Sequence, residues 1–266
     1  MANFAETPSH IAEFTVDSLQ VRVYPDRQAL GEVAAQFVSG VIAARQQAAS
    51  QAHVIFAAAQ SQNEFLRALV TRRLFDPQRL VALHMDEYMG LPADHPSSFR
   101  NYLTHHLFRP ADIPHDHLHL IPGESVDFPL NVCLQYEKQL RANLPHLVCA
   151  GIGENGHLAF NDPPVADFLD PVWVKPVRLD AACRAQQVHD GCFARLEDVP
   201  THAYTLTVPA LLAAPVVSVV VPGIRKAEAV RAALRAPISE ACPATALRRH
   251  AGARLWLDRE SASLVI

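Results

Sequence analysis

Glycine is scarce in this chain, which has ten glycines in 266 residues against twenty prolines. Three of the ten, Gly151, Gly153 and Gly156, nevertheless fall within one short stretch. Because glycine adopts backbone conformations that other residues avoid, this crowding predicts an unusually tight loop there.

Cysteine is also sparse and shows no pairing pattern. The chain contains five cysteines, an odd number, and no Cys-x-x-Cys motif. This excludes a disulfide framework and a paired-cysteine zinc site, and it favours reduced thiols in a cytosolic protein. The first residues lack the basic-then-apolar pattern of a secretory signal, so we expect a cytoplasmic location.

Positive charge is limited and scattered. The chain has 23 basic and 27 acidic residues, a formal net charge of −4, and only three lysines, Lys138, Lys175 and Lys226. Since no basic run is interleaved with aromatic residues, we expect no nucleic-acid partner.

One long segment, Ala203–Ile224, lacks charge altogether and is long enough to suggest a membrane span. Pro209, Pro215 and Pro222 divide it into pieces of strand and short-helix length. We therefore interpret the segment as buried core and expect no membrane partner.

Short apolar runs alternate with helical patterns along the chain. This alternation predicts an α/β fold, with a Rossmann-like, mostly parallel sheet and helices on both faces. No linker divides the sequence, so we expect a single domain over residues 1–266. The predicted strands are His53–Ala58, Leu80–His84, Leu118–Ile121, Leu147–Ala150, Val172–Val177, Val216–Val221 and Arg254–Leu257. The predicted helices are Gln28–Ala49, Asn63–Phe75, Ser97–Phe108, Leu130–Asn143, Cys183–Asp190 and Lys226–Leu234.

The clustered glycines satisfy the pattern G-x-G-x-x-G, which in dinucleotide-binding proteins opens a helix aimed at pyrophosphate. Here Pro163 and Pro164 follow closely and prevent a helix of useful length. We therefore interpret the glycines as a tight loop that presents His157, and we expect no nucleotide cofactor.

Two groups of polar residues follow predicted strands. His157 has Glu154, Asn155 and Asp162 nearby, and a carboxylate or amide that fixes an imidazole tautomer is typical of proton-transfer sites. Asp86 follows another strand, where an acidic residue either caps a turn or serves as a general base; the sequence leaves both interpretations open.

His115, His117 and His119 have spacing that suggests a metal site, but no acidic or cysteine ligand is fixed nearby. We interpret them as the polar entry to a strand, and we expect no metal.

Three strings together resemble the glucosamine-6-phosphate deaminase (isomerase) and 6-phosphogluconolactonase family. They are Met85–Pro92 (MDEYMGLP), His95–Phe99 (HPSSF) and Gly151–Pro163 (GIGENGHLAFNDP). Weaker similarity continues from about Val21 to about Asp258, so this chain is similar to the family, as a divergent member, over nearly its whole length.

The resemblance implies conversion of an amino-sugar phosphate to a ketose phosphate and ammonia, without an organic cofactor or metal. His157 would assist opening of the sugar ring, and Asp162, where the family usually has glutamate, would hold its imidazole. Asp86 would move a proton from C2 to C1. Asn155 occupies a third position that is usually aspartate in the family.

The phosphate end departs from the family. Ala57–Glu64 replaces a loop rich in Gly and Thr, and Gln186–Phe193 lacks the family's arginine. We expect Ser61, Arg184 and Lys226 to bind phosphate, with Arg225, beside Lys226, as a further candidate. The substrate is then either glucosamine 6-phosphate or another amino-sugar phosphate.

The resemblance also bears on substrate contacts and on allosteric regulation. Glu87 and Gly153 lie within them, and we expect both to contact the substrate. The segment after Asp162 lacks the basic residues of the family's effector site, so we expect no allosteric activation.

The leading hypothesis is a glucosamine-6-phosphate deaminase-like hydrolase/isomerase of amino-sugar metabolism. Another sugar-phosphate isomerase or lactonase of the same fold, and a non-catalytic sugar-phosphate-binding protein, remain alternatives. The expected partner is a small amino-sugar phosphate, and a homo-oligomer is compatible with the sequence.

Overall fold

A computed structural model describes residues 8–163 and 165–266. Residues 1–7, which bear on the signal-sequence interpretation, lie outside the described residues. So does Pro164, the second of the paired prolines. The strands are β1 (Ala12–Val16), β2 (Leu19–Tyr24), β3 (Ala52–Phe56), β4 (Leu80–His84), β5 (Asp86–Tyr88), β6 (Leu118–His119), β7 (Leu147–Ala150), β8 (Val174–Arg178), β9 (His202–Leu206), β10 (Val216–Val221) and β11 (Ala253–Asp258). The α-helices are α1 (Arg27–Ala48), α2 (Asn63–Arg72), α3 (Phe99–Leu103), α4 (Pro129–Ala142), α5 (Ala181–His189), α6 (Val208–Leu211) and α7 (Ala227–Arg235).

Eight strands form the central sheet, in the order β1-β2-β11-β10-β7-β3-β4-β6. All neighbouring pairs are parallel except β1 with β2. The chain order runs outward from the middle, through β3, β4 and β6 on one side and through β7, β10 and β11 on the other. The order therefore switches between β3 and β7, where open α/β sheets bind ligands at the carboxyl ends of their strands.

Side chains that alternate along each strand fill two separate cores on opposite faces of the sheet. In β3, Val54 and Phe56 pack in one core and Ile55 packs in the other. Buried residues of α1, α2 and α3 complete the first core, and those of α4, α6 and α7 complete the second. This arrangement confirms the predicted α/β fold with helices on both faces.

A second, antiparallel sheet has the order β5-β9-β8. Its strand β5 starts directly after β4. The N–H of Leu206 donates to the carbonyl of Met85 at 2.8 Å, and Asp86 pairs with Thr205, so the chain passes from the central sheet into the small one at this point. The predicted strand Val172–Val177 belongs to this small sheet, as β8, and not to the central one.

Some elements differ from the sequence-based expectations. The hairpin β1–β2 was not predicted, because its polar residues interrupt the apolar pattern. The predicted helix Ser97–Phe108 divides into α3 and a π-helical turn over Thr104–Phe108.

The uncharged segment Ala203–Ile224 forms most of β9, then α6 and β10. Among the described residues, no helix is long and apolar enough to cross a membrane.

Acid should destabilise this fold through histidines that are buried in their neutral form. Burial lowers the pKa of His84 to about 3, and burial together with nearby Arg45 lowers the pKa of His146 to about 4, from an ordinary 6.5. Below pH 6.5 the unfolded chain takes up protons that the folded chain cannot. Stability is therefore complete above that pH and falls as the pH drops toward these lowered values.

We predict that His84 alone removes up to about 1.4 kcal/mol of unfolding free energy per pH unit below 6.5. Neither ring nitrogen of His84 has a hydrogen-bond partner, so His84→Phe should flatten this dependence. Denaturant unfolding between pH 7 and pH 4.5 measures it, with the exposed His105→Gln as the control. An unchanged slope in His84→Phe would contradict the assignment.

Candidate active site

The candidate site is a cleft at the switch point of the central sheet. It lies among the loop after β3, the loop after β7 and the end of β4, and it encloses about 630 Å³ of non-protein space, part of it open to solvent. Five residues expected from the sequence line it: Ser61, Asp86, Gly153, His157 and Lys226.

Asp86 is a buried carboxyl, 7% exposed, in the short strand β5 at the cleft wall. Burial, and secondarily the charge of neighbouring Glu87, raise the pKa of Asp86 well above its ordinary value. A carboxylate that is costly to keep charged is a stronger base, so this placement suits proton abstraction.

Glu87 is fully buried and does not line the cleft. Its carboxylate accepts hydrogen bonds from the backbone N–H groups of Tyr88, Phe99 and Arg100 at 2.9–3.1 Å. The Ser98 hydroxyl at 2.8 Å and the Arg100 Nε at 3.2 Å also donate to it. Glu87 therefore anchors the start of α3 to β5, and the expectation that it contacts substrate is corrected to this structural position.

His157 and Asp162 form the opposite element of the site. The Nδ1 of His157 lies 2.9 Å from the Oδ1 of Asp162, and both residues are buried. A carboxylate beside Nδ1 favours the tautomer with hydrogen on that nitrogen and leaves Nε2 as the basic nitrogen. Although burial opposes ionisation of Asp162, its contacts with His157, Asn155 and Cys183 hold its pKa below the ordinary value.

Asn155 joins this pair from outside the cleft. Its Nδ2 donates to the Oδ1 of Asp162 at 2.9 Å, and its Oδ1 accepts the backbone N–H of His157 at 3.1 Å. The amide thus fixes both the carboxylate and the loop that carries the histidine. The structure brings Asn155, His157 and Asp162 together as the sequence suggested.

The glycines of this loop permit the close packing of the imidazole. A Cβ at Gly153 would collide with the ring of His157, and Gly156 has a φ of +85° and lies against Cys242. The buried side chain of Asn161 then ties the loop to β9 by donating to the carbonyl of Leu206 at 2.7 Å. Close packing and a positive φ therefore account for Gly153 and Gly156.

Cys183 lies behind the histidine. Its Sγ, the Nδ1 of His157 and a carboxylate oxygen of Asp162 all lie within 4.8 Å of one another. These are ligand types that zinc accepts, so this cluster is where a metal ion could bind in the described part of the chain. In the arrangement described, His157 and Asp162 contact each other, and the absence of a metal stays a prediction.

Ser61 and Lys226 mark the other end of the cleft. Ser61 belongs to the 3₁₀ turn Gln60–Gln62 that leads into α2, and Lys226 directly precedes α7. Lys226 is 8% exposed, and burial lowers its pKa, although the carboxylates of Asp190 and Glu154 oppose that shift. Asp190 and Glu154 act on its ammonium group electrostatically, without a direct salt bridge among the described residues, so this group can still bind an anion.

Arg184 does not reach this cleft. Its Nη2 donates to the carbonyls of Leu196 at 2.7 Å and Val199 at 2.9 Å, and the residue is not part of the lining. The phosphate-binding position expected for Arg184 is therefore corrected: its guanidinium fastens α5 to the following turn.

The cleft also contains residues that the sequence analysis did not select, namely Gln186 and Asp190 at the end of α5. Gln186 accepts the N–H of Glu154 at 2.8 Å, and neighbouring Gln187 accepts the Tyr88 hydroxyl at 2.5 Å. The only signal in the sequence was a run of polar residues on one predicted helix, whose rotational phase the sequence does not specify.

Comparison with known proteins identifies the family. Residues 25–256 match the family of glucosamine-6-phosphate isomerases and 6-phosphogluconolactonases. The chain therefore belongs to that family.

Individual relatives span both activities. The chain is 35% identical over 190 residues to a glucosamine-6-phosphate deaminase of Exiguobacterium sibiricum, covering 71% of this chain and 72% of that protein. A solved monomeric glucosamine-6-phosphate deaminase superposes with a TM-score of 0.84 at 27% identity, covering 92% of this chain and 99% of that one. The 6-phosphogluconolactonase of Trypanosoma brucei shares the fold. It superposes with a TM-score of 0.74 at 20% identity, covering 96% of this chain and 100% of that one.

Gly153→Ala should displace the imidazole of His157, because the new methyl group occupies the position of the ring. We predict that the ¹⁵N NMR signals of His157 show hydrogen on Nδ1 in the unmodified protein and lose that pattern in the variant. Gly40→Ala is the control, because a Cβ there meets nothing within 4 Å. Retention of the original His157 signals in Gly153→Ala would show that the glycine is not needed to seat the ring.

Proposed function

We propose that this protein is an amino-sugar-phosphate isomerase/deaminase, which converts glucosamine 6-phosphate or a close epimer to the matching ketose phosphate and ammonia. The observation that carries the proposal is that one cleft contains both a buried carboxyl, Asp86, and an imidazole, His157, held by a carboxylate. The relatives named as deaminases support the same assignment.

Ring opening uses His157. Its Nε2 takes the proton of the anomeric hydroxyl and returns a proton to the ring oxygen, while Asp162 stabilises the imidazolium that forms between the two steps. Asn155 is a positioning residue in this step, because it touches Asp162 and the loop but not the cleft. An amide at this position orients the carboxylate without adding a second negative charge.

Isomerisation uses Asp86. Its carboxylate removes the proton at C2 of the open-chain amino aldehyde, and an enolamine forms as the carbonyl oxygen is protonated. Return of the proton to C1 gives an imine at C2, which adds water and expels ammonia, leaving the ketose. Proton transfers of this kind typically contribute about 10²- to 10⁴-fold each to the rate.

The phosphate group is placed at the end of the cleft that contains Ser61 and Lys226. A buried ammonium group that makes no direct salt bridge to a described residue, a serine hydroxyl and the turn that begins α2 are suited to an anion. Arg184 has no part in this proposal.

A substrate panel tests the proposed reaction. Purified protein incubated with glucosamine 6-phosphate, galactosamine 6-phosphate, free glucosamine and 6-phosphogluconolactone should release ammonia and ketose phosphate from an amino-sugar phosphate. Ammonia and ketose are measured enzymatically. Failure to release ammonia from any of them would contradict the deaminase assignment, with lactone hydrolysis or binding without turnover identifying the alternatives.

Asp86→Asn should abolish ammonia release, by at least about 10³-fold, because an amide cannot accept the C2 proton. It should not lower stability. A carboxyl with a raised pKa stabilises the fold only while it is protonated, and that contribution is lost as the pH rises through the raised pKa. At pH 8 the variant should therefore unfold at the same or a higher denaturant concentration than the unmodified protein.

The exposed Asp116→Asn is the matched control, and it should change neither activity nor stability. Substantial activity in Asp86→Asn would remove Asp86 from the mechanism. Clear destabilisation of that variant would instead show that the charged carboxylate supports the fold.

A further inference from the structure

We infer that Asp190 determines specificity at the phosphate end of the cleft, where it limits anion affinity by adding a negative charge and by holding Arg225 outside. This inference rests on the proposed function, because it concerns how the same site binds the phosphate group of its substrate. Nothing in the sequence comparison assigns a role to Asp190.

The carboxylate of Asp190 lies on the boundary between two pockets. Asp190 lines the catalytic cleft and also a neighbouring pocket, and Gln60, Ser61 and Lys226 line both as well. An anion bound by Ser61 and Lys226 therefore lies close to the Asp190 carboxylate. Like charges that lie close together in a partly buried site repel each other.

Both oxygens of Asp190 are already engaged. Its Oδ1 accepts from the Nη2 of Arg225 at 3.0 Å, and its Oδ2 accepts from the Nε2 of Gln186 at 3.3 Å. These bonds hold the carboxylate in place, so it is a built feature of the wall.

Arg225 is held by two further groups. Its Nη1 donates to the carbonyl of His189 at 3.1 Å, and its Nε lies 3.7 Å from the Oε1 of Glu154. Arg225, whose guanidinium is the group best suited to bind a phosphate, therefore lines the neighbouring pocket and does not line the catalytic cleft.

At this end of the cleft one ammonium group, Lys226, opposes one carboxylate, Asp190. Removal of the negative charge leaves Lys226 uncompensated and releases Arg225 from its main partner. Asp190 does favour the charged form of Lys226 against burial. A bound phosphate supplies more negative charge than the carboxylate it replaces, so we expect anion affinity to rise when Asp190 loses its charge.

The test is the binding of inorganic phosphate and of glucosamine 6-phosphate, measured by calorimetry at pH 8 on the unmodified protein and on Asp190→Asn. We expect the variant to bind both roughly tenfold more tightly, and free glucosamine unchanged. Glu260→Gln is the matched control, since it removes a negative charge from the neighbouring pocket only, and it should alter affinity less than about twofold. Unchanged or weaker phosphate binding by Asp190→Asn would overturn the inference.

Two further variants test whether Asp190 keeps Arg225 away from the bound anion. Arg225→Gln alone should leave phosphate binding unchanged, and Asp190→Asn combined with Arg225→Gln should lose much of the gain. Weaker binding by Arg225→Gln would show that the arginine already reaches the anion, and full retention of the gain in the double variant would show that its release is irrelevant. Either result overturns this part of the inference.

Binding is read independently of turnover, so the two proposals fail separately. If no ammonia is released but Asp190→Asn still tightens phosphate binding, the proposed function fails and the role of Asp190 stands. If ammonia is released but affinity does not rise in the variant, only the inference about Asp190 fails.

Discussion

The buried carboxylate of Glu87 fixes the geometry on which the candidate site depends. Five donors from residues 88 and 98–100 converge on it and compensate its negative charge. Side chains alternate along β5, and Asp86 therefore faces the cleft while Glu87 faces the interior. The anchored charge also raises the pKa of its neighbour, so one structural residue both places Asp86 and increases its basicity.

The rest of the site is assembled around this point by the topology of the sheet. The switch between β3 and β7 leaves a crevice, and the glycine loop after β7 lets the ring of His157 pack directly on the backbone. Asn155 and Asp162 then hold the imidazole from behind. Two proton-transfer groups with different environments consequently share one cleft: a carboxyl that burial makes basic, and an imidazole that a charged carboxylate orients.

Much of this could be predicted from the sequence, because the informative residues lie in loops that directly follow buried strands. The family resemblance implies that Asp86, His157 and Asp162 act in one site, and residues that follow parallel strands can meet there because the carboxyl ends of those strands lie at one edge. The small sheet that includes β5 and β9 was not foreseen, since three residues show no usable periodicity and its pairing with Thr205 is long-range.

Two expected site residues, Arg184 in α5 and Glu87 in β5, point away from the cleft. Glu87 was expected to contact substrate because it lies within a matched string. Neighbouring residues on a strand face opposite sides, however, so Glu87 faces the interior when Asp86 faces the cleft. On a helix, the phase decides which side chains face the site, and in α5 it turns Arg184 to the carbonyls of Leu196 and Val199. Asp190, just beyond the helix, occupies the cleft instead.

The central claim is that burial keeps Asp86 a poor acid and therefore a competent base. Infrared difference spectra between the unmodified protein and Asp86→Asn, recorded across a pH series, would isolate the carboxyl stretch of this one side chain. The account predicts a protonated carboxyl band that persists well above pH 3.8, the ordinary aspartate pKa, and is replaced by the carboxylate band only at higher pH. A carboxylate that is already fully formed at pH 4 would contradict it.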